Sequence, residues 1–329
     1  MNFTHYLKLG VAVQAIAISA FAHSADVYPA RTIKLIVPFA PGATTDIVAR
    51  VVAQGLSSEV GQPIIVENKP GASTILGTSF VAKSPADGYT LLLAVDSNMT
   101  INPLMNPNVN YIVGKDFKLI GEFGRMPIGL AVAGSSSYET VRSFVDDAKK
   151  NPGKINYGST GAGALYHIVA EMFEAQTDVK LTQIPYRGGA PIMTALRSGE
   201  IQSAFNVVGT LLPQAKDEKI RILAITGEKR HPLLAKVPTF SEAGYPGFNP
   251  TSRFGLVGPA GMPSEVVEKL SGALNKVLRA PSFRTHLEGL GFNVPSATSP
   301  QEYESLIGED AEKWGALVRA RKITGDSAR

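Results

Sequence analysis

The sequence predicts an α/β protein of parallel sheets flanked by helices, with two hydrophobic cores. Short apolar runs closed by turn signals alternate with longer stretches whose apolar residues recur at helical spacing. That alternation implies right-handed βαβ crossovers, and therefore parallel strands. The length of 329 residues is sufficient for two cores, and a composition of 44% hydrophobic and 18% charged residues excludes a disordered chain.

The first 25 residues have the pattern of a secretory signal peptide. Lys8 is their one charged side chain, Leu9–Ala22 is almost wholly apolar, and Ala20-Phe21-Ala22 supplies small residues for cleavage. Ala22-His23-Ser24 is an alternative cleavage site. The apolar run is shorter than the ~20 residues that span a bilayer, which disfavours a membrane anchor. We therefore expect residues 1–25 to be removed and the mature, monomeric protein to lie in the periplasm.

Strands and helices alternate directly after this segment. The run from residue 33 ends at Pro38, and the next stretch carries its apolar residues on one helical face. Turn residues at Asn68–Gly71 and at Pro85–Gly88 separate the elements that follow. The predicted strands are Ile33–Val37, Ile64–Glu67 and Tyr89–Val95, and the predicted helices are Thr44–Ser57 and Ser73–Ser84.

The same alternation resumes after residue 139. Its predicted helices are Thr140–Asn151, Ala164–Thr177 and Ala190–Ser198, and its predicted strands are Lys154–Tyr157, Leu181–Ile184 and Ile201–Phe205. Near the end, Ser264–Leu278 is amphipathic, and a capping box at Ser299-Pro300-Gln301-Glu302 opens a last helix. The sequence contains no low-complexity linker, so we expect crossing strands rather than a flexible tether to join the two cores.

In an open parallel sheet, ligands bind beyond the carboxyl ends of the strands, so the loops there form the candidate site. The first loop, Pro38–Asp46, leads from a strand into a helix. Gly42 permits a positive φ or a close backbone approach, and the amides of residues 43–46 belong to a helix start, where an anion is favoured. The alternative is an ordinary turn capped by Thr44 or Thr45.

The glycine-rich loop, Gly158–Gly163, also leads from a strand into a helix. Its three glycines and two hydroxyls expose backbone amides and supply adaptable donors. The loop matches neither the dinucleotide-binding fingerprint, nor the P-loop, nor the nucleophile elbow of hydrolases. A plain tight turn is the alternative. His167, on the helix that follows, either reaches a ligand or has a structural role.

Two further loops end predicted strands. In the third loop, Pro185–Pro191, Tyr186 offers an aromatic wall with a polar tip, and Arg187 offers a planar cation that can bind a carboxylate. An exposed arginine on a solvated turn is the alternative there. In the fourth loop, Asp96–Asn98, the polar side chains either bind a ligand or cap backbone groups.

Catalytic, metal and nucleic-acid functions find little support in the sequence. The absence of cysteine excludes thiolate metal sites and cysteine nucleophiles, and the histidines show no metal-ligand spacing. No motif singles out a nucleophilic serine, and no cofactor is predicted. The net charge is +4 without a block of like charges, so no nucleic-acid groove is indicated. A binding receptor is favoured, and the alternative is a periplasmic hydrolase of a small carboxylate ester or amide.

Several segments taken together resemble the Bug-type extracytoplasmic solute receptors of tripartite tricarboxylate transporters. The ordered set covers essentially the whole mature chain, which makes it specific although each segment alone is a modest signal. The segments are Ile36–Asp46, Val66–Ala72, Ala86–Leu92, Ile101–Leu104, Tyr157–Gly163, Val237–Thr239 with Glu242–Tyr245, and Gly258–Pro263.

The resemblance implies a two-lobed periplasmic-binding-protein fold of type II, in which each lobe is a mainly parallel sheet flanked by helices and the chain crosses the hinge twice. The implied lobes are residues 26–127 plus 251–329, and residues 128–250. It further implies that loops on both lobes hold a small carboxylate through backbone amides, hydroxyls and waters. The expected ligand is a dicarboxylate, an aromatic acid or an acidic amino acid. The expected partners are the membrane subunits of a tripartite tricarboxylate transporter, or a sensor.

The predicted ligand-binding residues come from the loops and their flanks. They are Phe39, Ala40, Gly42, Ala43, Thr44, Thr45, Asp46, Ser97, Asn98, Ser159, Thr160, Gly161, Gly163, His167, Tyr186, Arg187 and Asn206. Three positions depart from the pattern of the family. Ala43 takes the place of a second glycine, Ala164 that of a small hydroxyl residue, and Asn206 that of a frequent acid. The last exchange removes a negative charge from the predicted cleft, which argues against the need for a cationic group on the ligand.

Overall fold

In the computed structural model, which describes residues 28–42, 44–186 and 188–324, nine strands form one sheet. The strands are β1 (Ile33–Val37), β2 (Ile64–Asn68), β3 (Thr90–Val95), β4 (Phe117–Ala133), β5 (Asn156–Ser159), β6 (Thr182–Pro185), β7 (Ser203–Val207), β8 (Ile220–Ile225) and β9 (Thr251–Pro259). Their order across the sheet is β2-β1-β3-β9-β4-β7-β5-β6, and β8 also pairs with β4. The predicted signal peptide lies outside the described residues.

The long strand β4 connects two parts of the sheet. It pairs with β9 from Phe117 to Pro127, and with β7 and β8 from Ile128 to Ala133. We call β1, β2, β3 and β9 with their helices the first half, and β5 to β8 with theirs the second half. β1 is parallel to β2 and β3, and β5 is parallel to β6 and β7. Antiparallel pairing among the described strands is confined to pairs that include β4 or β9, and the predicted α/β fold class is confirmed.

The longer helices agree with the predicted ones to within three residues at each predicted end, and the last helix had only its start predicted. They are α1 (Thr44–Val60), α2 (Ile75–Ala82), α5 (Val141–Lys150), α6 (Leu165–Thr177), α7 (Gly189–Ser198), α9 (Ser264–Arg279) and α11 (Pro300–Arg321). The helices not predicted from the sequence are α3 (Asn102–Met105), α4 (Val113–Asp116), α8 (Val208–Lys216) and α10 (Pro281–Gly289). The Ser299 hydroxyl accepts from the Glu302 amide at the start of α11, which is one of the two hydrogen bonds of the predicted capping box.

Strands β5 and β7 begin two residues later than predicted, at Asn156 and Ser203. The apolar residues that suggested earlier starts, Ile155 and Ile201, are buried before the strand pairing begins. Strands β4, β8 and β9 were not predicted. Among the described residues, no helix combines the length and the apolar character needed to span a bilayer.

Buried apolar side chains form separate clusters in the two halves. In the first half, Leu35 and Leu93 of the sheet pack against residues of α1 and α9. In the second half, the ring centroid of Phe173 lies 5.4–6.3 Å from those of five neighbouring aromatic residues, which concentrates the core around that side chain. Trp314, on α11, joins this second-half cluster. The helix packing therefore gives each half its own core.

Candidate functional site

The parallel pairing gathers the predicted loops at strand ends within each half. The first loop follows β1 and the fourth loop follows β3, which are parallel neighbours. The glycine-rich loop and the third loop follow β5 and β6, and Asn206 lies near the end of β7, which is parallel to β5. Because the carboxyl ends of parallel neighbours lie at one edge of a sheet, each half presents its predicted loops together.

Two observations relate the segment after β3 to the second half. Tyr166, in the first turn of α6, donates its hydroxyl hydrogen to Oδ1 of Asn206 at 2.6 Å. Burial raises the pKa of Tyr166 to about 12, and the negative charge of Asp96 contributes to that rise. Ile101, in the segment after β3, is packed in the second-half core. Residues of both halves thus meet beside the fourth loop.

The Asp46 carboxylate stabilises the first loop through hydrogen bonds. Its carboxylate accepts from Gly42 N at 3.0 Å, from Arg50 Nε at 3.1 Å and Nη2 at 3.0 Å, and from Asn68 Nδ2 at 3.0 Å. Burial alone would raise the pKa of Asp46, but hydrogen bonds from Arg50, Gly42 and Asn68 lower it overall. Asn68 also donates to the carbonyl of Phe39 at 3.1 Å. Asp46 therefore shapes the loop, and its direct contact with a ligand stays a prediction.

The other first-loop residues form its accessible face. Ala40 and Gly42 are exposed, and Phe39 and Thr44 are half-buried. Gly42 has a φ of +82°, which is one of the two possibilities stated for its position. Ala43 lies outside the described residues.

The glycine-rich loop is held by hydrogen bonds within the protein. The buried Ser159 hydroxyl oxygen accepts from Gly161 N at 3.1 Å and from Gln183 Nε2 at 2.6 Å. The amide of Gly163 donates to Nδ1 of His167 at 2.8 Å. Ser159 and His167 therefore fix the shape of the loop, which for His167 matches the structural alternative. Contacts of these residues with a ligand stay predictions.

The tip of the glycine-rich loop is more open than its base. Thr160 is exposed and Gly161, with a φ of +118°, is half-buried. A side chain at Gly161 would meet no atom within 4 Å, so the loop has free space on that side. Thr160 and the open face of Gly161 are thus the accessible part of this loop.

In the third loop, the Tyr186 hydroxyl donates to Oε1 of Glu200 at 2.8 Å. Burial raises the pKa of Tyr186 to about 12, and Glu200 adds to the rise. Arg187 lies outside the described residues, so neither of the two interpretations of that side chain is resolved.

In the fourth loop, Asn98 caps the end of β3. Its fully buried side chain accepts from Val95 N at 2.8 Å and donates to the Leu93 carbonyl at 3.1 Å. This is the capping alternative stated for the loop, and a ligand contact through Asn98 stays a prediction. The next residues continue as a π-helix, Ser97–Ile101, an element that often marks functional sites.

Three predicted site residues carry buried polar atoms without a partner in the described part of the chain. They are Thr45 Oγ1, Ser97 Oγ and Asn206 Nδ2, which follow or end β1, β3 and β7. Leaving a buried donor or acceptor unsatisfied costs about 1–3 kcal/mol, so native proteins keep such atoms rare. Four further atoms of this kind in the described part of the chain lie outside the predicted site residues, at Thr78, Thr100, His231 and Tyr303. The three at or after the ends of β1, β3 and β7 are therefore candidates for contacts with a ligand.

The sequence reasoning missed Tyr166, and it named the loop of Asp96 without including Asp96 among the predicted ligand-binding residues. Tyr166 orients Asn206 through its hydroxyl, and Asp96 follows β3 and accepts from Ser252 Oγ of β9 at 2.6 Å. Asp96 was visible as the first residue after a buried strand. Tyr166 had no local signal, because its role depends on a partner 40 residues away.

Other site types have little support in the structure. Within the described ranges, no group of three or more acidic or histidine side chains is arranged to hold a metal ion. A surface groove of about 750 Å³ lies between α8, β8 and the 232–237 turn, and is lined by residues such as Leu212, Arg221 and Leu234. None of the predicted ligand residues lines this groove, so it is separate from the loops.

The sequence comparison decides the family. The family model for the tripartite tricarboxylate transporter family receptor, TctC, matches residues 48–323. The chain belongs to this receptor family. The resemblance drawn from the ordered segments is therefore confirmed, and the fold agrees with solved structures of periplasmic binding proteins of the TctC and Bug type.

Three solved structures are similar to this TctC-family receptor over nearly its whole length. R. palustris Rpa4515 with adipate is 32% identical, with a TM-score of 0.82, covering 90% of this chain and 99% of its own. The periplasmic binding protein BugD is 31% identical, with a TM-score of 0.78 and coverages of 90% and 99%. MatC from Rhodopseudomonas palustris with bound malate is 29% identical, with a TM-score of 0.78 and coverages of 88% and 100%.

Proposed function

We propose that this TctC-family receptor captures a small dicarboxylate in the periplasm between two lobes, residues 26–127 plus 251–329 and residues 128–250. The lobe boundaries are supported by the pairing of β4, which changes partner between Pro127 and Ile128, and by the start of β9 at Thr251. One helix of the first lobe, α11, also packs on the second half.

The observation that carries the proposal is the set of unpartnered atoms at Thr45, Ser97 and Asn206. A ligand with oxygen atoms at both ends satisfies donors on loops of both halves at once, and each hydrogen bond to a carboxylate contributes about 1.5–3 kcal/mol. The exposed hydroxyl of Thr160 at the tip of the glycine-rich loop supplies a further donor. The bound adipate of Rpa4515 and the bound malate of MatC support a dicarboxylate as the ligand class.

Asn206 favours a dicarboxylate over an amino acid. Its side chain is fully buried, and its Oδ1 already accepts from Tyr166 Oη and from Val207 N at 2.9 Å, which leaves Nδ2 as a donor. A donor matches a carboxylate or hydroxyl oxygen of a ligand, whereas an ammonium group needs an acceptor. We therefore propose that the part of the ligand that contacts Asn206 carries no cationic group.

The contacts of His167 do not favour the hydrolase alternative. A histidine that activates a serine nucleophile accepts a hydrogen bond from the serine hydroxyl. Here Nδ1 of His167 accepts from the backbone of Gly163 and Nε2 faces Glu171 Oε1 at 3.6 Å. We propose that the protein acts without turnover, is exported with cleavage of residues 1–25, and as a monomer delivers its ligand to the membrane subunits of a tripartite tricarboxylate transporter.

Calorimetric titration of the mature protein with adipate, malate and aspartate tests this function. We expect saturable binding of a dicarboxylate, weaker binding of aspartate, and an unchanged ligand NMR spectrum after prolonged incubation. Propyl esters of the same acids serve as the matched control, because they keep the chain and lose the charge. Absence of binding by every carboxylate, or appearance of hydrolysed ester, would contradict the proposal.

A further inference from the structure

The last helix, α11, is anchored on both halves of the molecule. Tyr303 and Ile307 are buried among apolar residues of the first half such as Leu92. Trp314, about two turns further along, is 2% exposed within the second-half core. The helix therefore packs against both halves, and its carboxyl-terminal end is held in a fixed position relative to both.

The far end of α11 is bound to α6 through a forked ion pair. Arg321 Nε lies 2.6 Å from Glu171 Oε2, and Arg321 Nη2 lies 2.6 Å from Glu174 Oε2. The Glu174 side chain is only 7% exposed, so the pair is partly shielded from water. A guanidinium that binds two carboxylates through separate nitrogens has a defined orientation, and it defines the orientation of both carboxylates in return.

Glu171 continues this contact towards the glycine-rich loop. Its other oxygen, Oε1, faces Nε2 of His167 at 3.6 Å, which is an electrostatic contact rather than a hydrogen bond. A carboxylate beside Nε2 stabilises the imidazole tautomer that carries its hydrogen there and leaves a lone pair on Nδ1. That lone pair is the acceptor for the amide of Gly163, the last residue of the loop.

We propose that Arg321, Glu171 and His167 are positioning residues that hold the glycine-rich loop in its ligand-binding shape, with α11 as their anchor. Without Arg321, Glu171 is free to turn towards solvent, and His167 loses the group that orients its ring. The Gly163 amide then spends part of its time without its acceptor, and the donors at the loop tip spread over more conformations. The link to ligand affinity rests on the proposed function, whereas the effect on the loop itself does not.

Amide hydrogen exchange of the ligand-free mature protein tests the positioning role directly. We expect Arg321→Ala to raise exchange of the segment 159–164 several-fold. Arg230→Ala is the matched control. Arg230 pairs with Glu242 at 2.8 Å in the second half, which also carries the glycine-rich loop, and it contacts neither α11 nor that loop. Equal exchange of this segment in the wild type and in Arg321→Ala would overturn the proposal.

Two variants of His167 show whether the effect passes through that side chain. His167→Ala removes the acceptor for Gly163, so we expect Arg321→Ala to add little further exchange in that background. His167→Asn places an oxygen close to the position of Nδ1, so we expect it to restore slow exchange whether or not Arg321 is present. If Arg321→Ala and His167→Ala raised amide exchange additively, the proposed series of contacts from Arg321 to His167 would be contradicted.

Calorimetry with adipate then separates this proposal from the proposed function. We expect Arg321→Ala to weaken adipate binding about three- to tenfold while Arg230→Ala leaves it unchanged. If the wild type binds no adipate but exchange responds as expected, the loop is positioned as proposed and the ligand class is wrong. If exchange rises while adipate binds Arg321→Ala as tightly as the wild type, the positioning role in binding is refuted.

Discussion

The replacement Asp96→Asn should change how the stability of the protein depends on pH. Asp96 is 3% exposed, and its carboxylate accepts from Ser252 Oγ at 2.6 Å and from Arg253 N at 3.1 Å. Burial, aided by the nearby charge of Asp310, raises the pKa of Asp96 to about 7. An acid with a raised pKa in the folded state binds its proton more tightly there than in the unfolded chain. Its contribution to stability therefore grows as the pH falls through 7 and is lost as the pH rises.

The magnitude follows from the proton bound by the folded state. Between pH 8 and pH 5.5, protonation of one group with a pKa of about 7 in the folded state and about 4 in the unfolded state adds about 2 kcal/mol of stability. The amide that replaces the carboxyl group in Asp96→Asn cannot titrate. Urea unfolding gives the change in unfolding free energy between the two pH values for each protein. The change in the wild type minus the change in the variant is the contribution of Asp96. The other titrating groups are common to both proteins and cancel.

Equal changes in unfolding free energy for the two proteins between these pH values would refute the reasoning. A wild type that loses stability relative to Asp96→Asn on acidification would refute it equally, because it would mean that the folded state favours the charged carboxylate. The slope of the urea dependence should be the same for both proteins, since the surface exposed on unfolding does not change.

Three further predictions concern the site and the core. Asn206→Asp should weaken adipate binding at least about tenfold by calorimetry, because a carboxylate replaces the free donor; tighter binding would contradict the role given to Asn206. Asp46→Asn should lower the urea unfolding free energy by about 1–3 kcal/mol, since the charged acceptor of Gly42, Arg50 and Asn68 is lost, and an unchanged value would remove its role in shaping the loop. Phe173→Ala should cost about 3–5 kcal/mol in the same assay, because it opens a cavity among five aromatic neighbours, and a loss below about 1 kcal/mol would contradict the packing described.

The strands and helices predicted from the sequence were those with strong local patterns. Helix α1 has a continuous apolar face, and β1 is apolar apart from Lys34 and ends before a proline. Strand β4 has no such pattern, because glycines interrupt its apolar residues. Those glycines meet distant parts of the chain: a Cβ at Gly121 would lie 2.6 Å from Thr298, and one at Gly124 would lie 2.8 Å from Phe292. A requirement set by residues more than 160 positions away leaves no readable signal nearby.

The candidate site shows the same division. The loops at the strand ends could be predicted, because they depend on strand order, and a positive φ at Gly42 was one of two possibilities that the sequence indicated. The roles of Ser159 and His167 could not, because a hydroxyl or imidazole has the same sequence signature whether it faces a ligand or a neighbouring amide. Only the partners in the folded chain, Gln183 for Ser159 and Gly163 for His167, distinguish the two.

A two-dimensional ¹H–¹⁵N NMR titration with adipate tests the central claim most directly, because it observes both sets of loops in one experiment. The account predicts that the amides of Thr45, Ser97 and Thr160 and the side-chain amide of Asn206 shift together, with one common dissociation constant. Signals from the groove at Leu212 and Leu234 should stay unchanged. Shifts confined to that groove, or to the loops of one half alone, would contradict a carboxylate bound between the two halves.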